Sequence, residues 1–228
     1  MADTYELLES ILWERSAGYF LLDRHLARLA RSGRELGFAV DVERVERALA
    51  VQAETIDGSA RKVRITVARD GAVRVVPTAL RPAGKLQVAV AGTPVDSRWR
   101  LLRHKTTARG IYDAALAAHP GFDDVLLVNE RDELTETCHG NLVAEIDGVR
   151  VTPPVECGLL PGTFRELLLA QGEIREQRVP LASILDDAPG APALYMINSV
   201  RRWCPIVLID RSERAAALRD DSAGAGNG

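Results

Sequence analysis

In His104-Lys105-Thr106-Thr107-Ala108-Arg109-Gly110-Ile111-Tyr112 a lysine stands where a polar turn passes into a helix-patterned stretch, Ile111 to Ala118. Lys105 is one of three lysines, with Lys62 and Lys85, in a chain whose lysines and arginines number 29. Arginine serves wherever a fixed positive charge suffices, whereas a lysine amine can lose its proton. Held in a pocket, such an amine is the nucleophile of Schiff-base chemistry with carbonyls. The plainer alternative is a solvated surface lysine, and the rest of the chain has to decide between the two.

Outward from this stretch, helix and strand signals mix. Before it, Gly18 to Leu22 reads as a short strand, and Asp23 as the cap of a helix from Arg24 to Leu36 that Gly37 stops. Val42 to Ile56 has helical spacing. Lys62 to Val67 and Val73 to Val76 alternate with period two around Arg69-Asp70-Gly71, a hairpin signal. Leu86 to Val90 reads as a strand and Pro94 to Trp99 as a crossing between two halves. After it, hairpins are expected around Asn129–Asp132 and Asp147-Gly148, and a helix over Thr163 to Ala170. Ile174 to Val179, Ala193 to Ile197 and Ile206 to Ile209 read as strands, and Leu181 to Leu185 as a short helix. Hairpins mixed with helices argue a mixed α/β (α+β) fold in two lobes, not a doubly wound parallel sheet. The expected division is 1–93, a small N-terminal α/β lobe, and 94–210, a larger lobe; 211–228 is expected to be a disordered tail.

Apolar content of 46% and charged content of 27% are those of an ordinary soluble globular protein. A net charge of −3 leaves no basic footprint for nucleic acid. No apolar run reaches the roughly 20 residues of a membrane span. The acidic start Met1-Ala2-Asp3-Thr4-Tyr5-Glu6 lacks a basic-then-apolar leader, which argues against export and for a cytoplasmic location. Cys138, Cys157 and Cys204 lack paired metal spacing and read as reduced thiols. No metal site is expected.

Neither a glycine-rich dinucleotide loop, nor a Walker loop, nor a nucleophile elbow is present. Four features instead suit one cofactor, pyridoxal phosphate. Lys105 is the first. Glu136, in Thr135-Glu136-Thr137, puts a carboxylate at a strand end, where it can stabilise a protonated pyridine nitrogen. Gly158-Leu159-Leu160-Pro161-Gly162-Thr163 opens a helix whose first amides suit a phosphate. Asn198-Ser199-Val200-Arg201-Arg202 follows an apolar strand and offers small polar groups to complete a phosphate cup. Taken singly, each has a bland reading: a surface carboxylate, a Pro-Gly turn, a polar loop.

Together these segments resemble the class IV (fold-type IV) pyridoxal-phosphate enzymes, which include branched-chain and D-amino-acid aminotransferases and aminodeoxychorismate lyase. The likeness is greatest to the lyase-like domain fused to para-aminobenzoate synthase. It is carried by His104–Thr107 with Tyr112, Phe122–Glu130, Leu134-Thr135-Glu136, Val151–Pro154, Gly158–Thr163 and Ile197–Arg201, and extends to Phe20–Leu29. It covers residues 5 to 210 and implies a two-lobed fold whose larger lobe has a β-barrel-like core. The resemblance implies that Lys105 holds pyridoxal 5'-phosphate as a Schiff base and that Glu136 faces the ring nitrogen. It implies that Arg28, Gly162, Thr163 and Ser199 hold the phosphate, and that the protein is a homodimer with its active site near the interface. The chain starts nearer the Tyr5–Trp13 segment than full-length members do, so fewer lid contacts are expected. Cys138-His139 stands where relatives carry small or hydroxyl residues; His139 either tunes the cofactor or faces solvent.

The resemblance implies a 4-amino-4-deoxychorismate lyase of folate biosynthesis, releasing pyruvate and 4-aminobenzoate. Alternatives are a class IV aminotransferase acting on branched-chain, D- or other amino acids, and a non-catalytic cofactor-binding relative. Substrate carboxylates are expected at Arg69, at the hairpin tip, and at Arg201 or Arg202, because a guanidinium binds a carboxylate with two parallel hydrogen bonds.

Overall fold

The computed structural model describes residues 5–80, 84–185 and 192–209. The expected tail, 211–228, lies outside them.

The first sheet is antiparallel, in the order β2-β1-β3-β4, formed by β1 (Leu7–Glu14), β2 (Gly18–Tyr19), β3 (Ala60–Val67) and β4 (Val73–Thr78). Helices α1 (Leu22–Leu36) and α2 (Val42–Thr55) belong to the same lobe. Successive strand side chains alternate between faces. Leu7, Ile11 and Trp13 of β1 join Val63, Ile65 and Val67 of β3 in one core with Leu26 and Leu29 of α1 and Val45 and Leu49 of α2. Leu8 and Ser10 therefore lie on the opposite face, where Ser10 pairs with Arg64 and Leu12 with Lys62. That face is one wall of the site.

The second sheet holds β5 (Leu86–Val90), β6 (Asp124–Val128), β7 (Leu134–Thr137), β8 (Asn141–Ile146), β9 (Val149–Thr152), β10 (Arg175–Glu176), β11 (Ala193–Asn198) and β12 (Arg202–Leu208). Six of them run in the order β8-β11-β12-β5-β6-β7, and pairing of β7 with β8 closes the ring into a barrel. One apolar side chain or more from each of the six fills it: Val88, Leu126, Leu134, Leu142, Met196 and Cys204 share its core, as expected of a small barrel whose interior is packed with side chains. Helix α3 (Gly110–Ala118) covers Val125 and Leu127, and α4 (Thr163–Ala170) covers Val143 and Ile197. A short helix, α5 (Ala182–Leu185), follows β10. Among the described residues no helix is long and apolar enough to cross a membrane.

Several local readings change. Residues 7–14, not read as a strand, form one of the two central strands of the first sheet. Helix α1 starts at Leu22 behind Leu21, which has a left-handed backbone (φ 56°) and makes no side-chain cap bond; Asp23 sits inside the first turn. Of the strand expected over Ile174–Val179 only Arg175–Glu176 is a regular strand, paired with β9. Leu86–Val90, placed N-terminal to the 93/94 division, pairs with β12 and β6 inside the barrel.

Candidate active site

Between the outward face of the first sheet and the mouth of the barrel lies a cleft of about 520 Å³. Each segment that lines it is placed by an identifiable contact. The Lys105 segment is stitched to the first strand: Leu8 N–H donates to Lys105 O (2.9 Å) and Thr107 N–H to Glu6 O (2.9 Å). Glu136 comes from the end of β7, two residues beyond the barrel-core Leu134. Gly162 and Thr163 begin α4, and Ser199 follows β11, its hydroxyl donating to Ser10 O across the cleft (3.3 Å).

Lys105, Arg28, Glu136, Gly162, Thr163, Ser199 and Arg201 all line this one cleft. Arg69 does not: its guanidinium donates to Leu36 O and Gly37 O at the end of α1 and stacks over Phe38. The hairpin tip folds back on the helices, away from the cleft, so Arg69 is not brought together with the other candidate residues. Arg202 also turns away, stacking on Phe20 and pairing with Glu14. The sheet supplies other cations instead, for Lys62 and Arg64 of β3 line the cleft. Their signal was present in the alternation of Lys62-Val63-Arg64-Ile65, whose apolar positions face the helices.

Burial, aided by the Arg28 charge and opposed by Glu9, lowers the Lys105 amine from 10.5 to about 8. Burial works the other way on Glu136 and raises it to about 7, against hydrogen bonds and the charges of Lys105 and Arg109. Its two oxygens are fixed by Tyr112 Oη (2.8 Å) and Asn141 Nδ2 (3.2 Å), and Asn141 also donates to Leu160 O (2.7 Å). An added Cβ on Gly162 would overlap Asn141 Oδ1, so the glycine lets the α4 N-terminus approach the Glu136 network.

The residue missing from the sequence reading is Glu9. It lies on the helix-facing side of β1, 1% exposed, and accepts from Arg28 Nε (2.8 Å) and Nη2 (2.6 Å). His25 Nδ1 stands 2.7 Å from the same carboxylate, and His25 Nε2 3.2 Å from Thr163 Oγ1. Burial disfavours the ionised carboxylate, but Arg28 and His25 outweigh it and hold Glu9 at about 2. Three of the five Arg28 N–H groups are used, the third by Pro161 O (3.1 Å), so two remain for a ligand. A carboxylate within an apolar strand, with His25 and Arg28 three apart on the next helix, was the signal available. His139, at the β7–β8 turn, lines the cleft and sets Nδ1 3.2 Å from the buried Asp124.

Residues 6–209 match the class IV amino-transferase family over nearly the whole chain. The chain belongs to that family. A Schizosaccharomyces pombe protein provisionally named aminodeoxychorismate lyase is 31% identical over 222 residues, 93% of each chain. A Mesorhizobium loti structure, provisionally named as an amino-acid aminotransferase, is 36% identical with a TM-score of 0.82, over 90% of this chain and 100% of that one. A Legionella pneumophila structure, provisionally named 4-amino-4-deoxychorismate lyase, shares the fold at 20% identity and a TM-score of 0.77, over 95% and 90% of the two chains.

Proposed function

We propose that this class IV protein is a pyridoxal-phosphate-dependent lyase acting on 4-amino-4-deoxychorismate. The observation that carries the reading is one cleft holding a lowered lysine amine, a carboxylate raised to about 7 and a helix N-terminus beside an arginine with two spare N–H groups. That donor set fits the cofactor at three points: Lys105 at its aldehyde carbon, Glu136 at its ring nitrogen, and Arg28, Gly162, Thr163 and Ser199 at its phosphate. When bound, the pyridoxal ring draws electrons from the carbon that bears the substrate amine.

The protein's own residues do the rest. Lys105 Nζ, with an affinity for protons near 8, accepts the proton from the amine-bearing carbon and holds it. Glu136 keeps the far end of the site electrically matched to a protonated ring nitrogen, and Tyr112 and Asn141 fix its orientation. Loss of the substrate C–O bond then releases the enolpyruvyl group as an enolate, which takes up one proton to become pyruvate, and leaves an aromatic amine. Basic walls favour such a substrate, which carries two carboxylates: Lys62, Arg64, Arg109 and Arg201 all line the cleft. The kinship to the S. pombe protein supports the same reading.

A class IV aminotransferase is the second reading, favoured by the 36% identity to the M. loti structure. Both use Lys105 and Glu136. Pyruvate and 4-aminobenzoate, measured together from 4-amino-4-deoxychorismate, separate them, with Lys105→Ala as the control. Matched formation of both products by the cofactor-loaded protein, absent from the variant, is the expected result. A loaded protein that releases no pyruvate but passes an amine to a keto acid is an aminotransferase instead.

A further inference from the structure

Behind Thr163 of the phosphate site, His25 and Glu9 continue a buried chain that the reaction above does not use. The Glu9 carboxylate can only accept, so His25 Nδ1, 2.7 Å away, carries a hydrogen. Burial, reinforced by the Arg28 and Lys105 charges and opposed by Glu9, holds His25 below its ordinary value. Near neutral pH, Nε2 is therefore a bare lone pair. A threonine hydroxyl has one hydrogen, and with Nε2 3.2 Å away the Thr163 hydroxyl donates to it.

This arrangement suits the protein without an anion and suits a bound anion badly. Arg28 and Glu9 cancel in charge, and with His25 neutral the inner wall of the cup has no net charge. A phosphate ester is close to a dianion above pH of about 6. An anion oxygen placed at Thr163 needs the hydroxyl hydrogen that His25 is using, and taking it would leave Nε2 buried without a donor. Both deficits have one remedy.

We propose that His25 is a positioning residue of the phosphate site, taking one proton from solvent when a phosphate-type dianion binds. Nε2–H then donates to Thr163 Oγ1, the hydroxyl turns its hydrogen onto the anion, and the cup gains one positive charge. This deepens the cofactor reading and rests on it. The groups facing His25 are Glu9 from β1, Arg28 from its own helix, Lys105 from the segment before α3, and Thr163 from α4. Only Glu9 favours the cation in the free protein, so the bound anion supplies the decisive attraction. Affinity for the anion is then highest at low pH and falls by about tenfold per pH unit while one full proton is taken up.

Sulfate is the probe, being a dianion with no proton of its own to exchange in this range. The chain has four histidines, so nitrogen resonances of histidine-labelled protein are assignable with single variants. On adding sulfate at a pH of about 7.5, above the ordinary histidine range, His25 Nε2 should change from bare to protonated. Calorimetry in buffers of different ionisation enthalpy should give close to one proton taken up per sulfate. His25→Gln, which keeps a donor and an acceptor and does not titrate, should lose that uptake; the comparison separates His25 from Lys105 and Glu136, which also titrate nearby. Sulfate binding with Nε2 still bare, or equal uptake in His25→Gln, overturns the proposal and leaves the cofactor reading standing. If neither sulfate nor pyridoxine 5'-phosphate binds, the cofactor reading fails and this one with it.

Discussion

Replacing Glu9 with glutamine removes a buried charge that the fold relies on. The carboxylate falls from 4.5 to about 2 on folding, which at about 1.36 kcal/mol per unit corresponds to about 3 kcal/mol. Breaking a buried ion pair from one side costs about 3–5 kcal/mol, because the surviving charge, here Arg28 at 4% exposure, loses its partner. The two routes overlap at about 3–4 kcal/mol, and for a chain of this size that lowers the melting temperature by about 10 °C. The sign with pH is fixed by a depressed carboxylate: its stabilisation is complete above 4.5 and is lost as pH falls through about 2. Urea unfolding of wild type and Glu9→Gln at one protein concentration should therefore show a gap at about pH 7 that narrows below pH 4.5. The double variant Glu9→Met/Arg28→Met should recover most of the stability, since no charge stays buried there, yet lose affinity for pyridoxal phosphate. A gap under about 1 kcal/mol at neutral pH, or the same gap at about pH 3, would refute the reasoning.

Other predictions follow from single contacts. The rate at which an amine-selective reagent modifies Lys105, followed by peptide mass, should rise with a midpoint near pH 8; a midpoint near 10.5 excludes the lowered amine. Gly162→Ala should push Asn141 off Glu136 and Leu160, costing about 1–3 kcal/mol for the groups left unpaired. It should also weaken pyridoxal-phosphate binding, read by absorbance; unchanged binding means the α4 N-terminus does not need its close approach. Arg69→Ala should lower stability by about 1 kcal/mol through its lost contacts with Phe38 and the end of α1, leaving kcat/KM intact. A large rise in KM would return Arg69 to the substrate.

Local signals were legible wherever the chain punctuates itself. Asp147-Gly148 marks the β8–β9 hairpin, with positive φ at both residues, and Pro161-Gly162 marks the start of α4. β1 escaped because Leu7 to Trp13 is apolar on both faces, being covered by helices on one side and by the Lys105 segment near its start. Period-two alternation is lost in such a strand, and with it went Glu9. Barrel closure was hidden for another reason: β5 lies beside β12, more than a hundred residues away in sequence, and no local pattern encodes that pairing. Arg201 lies at the cleft because it follows a strand end that opens there, whereas the side to which the Arg69 hairpin tip folds is set by contacts with α1 that no local pattern encodes.

The stitching of β1 to the Lys105 segment bears on how the protein matures. Leu8 and Thr107 hold the Lys105 segment to the first strand, Ser199 reaches Ser10, and Arg28 reaches Pro161. The first strand and helix of this fold thus supply partners to segments about 100 to 190 residues further along the chain. Closing contacts so far apart is entropically expensive and comes late. A nascent barrel alone would be a shell without function, and gain of the bound-cofactor chromophore would time the last docking event of the chain. Split between β4 and β5 and expressed as two pieces, the protein should regain that chromophore only when both halves are mixed.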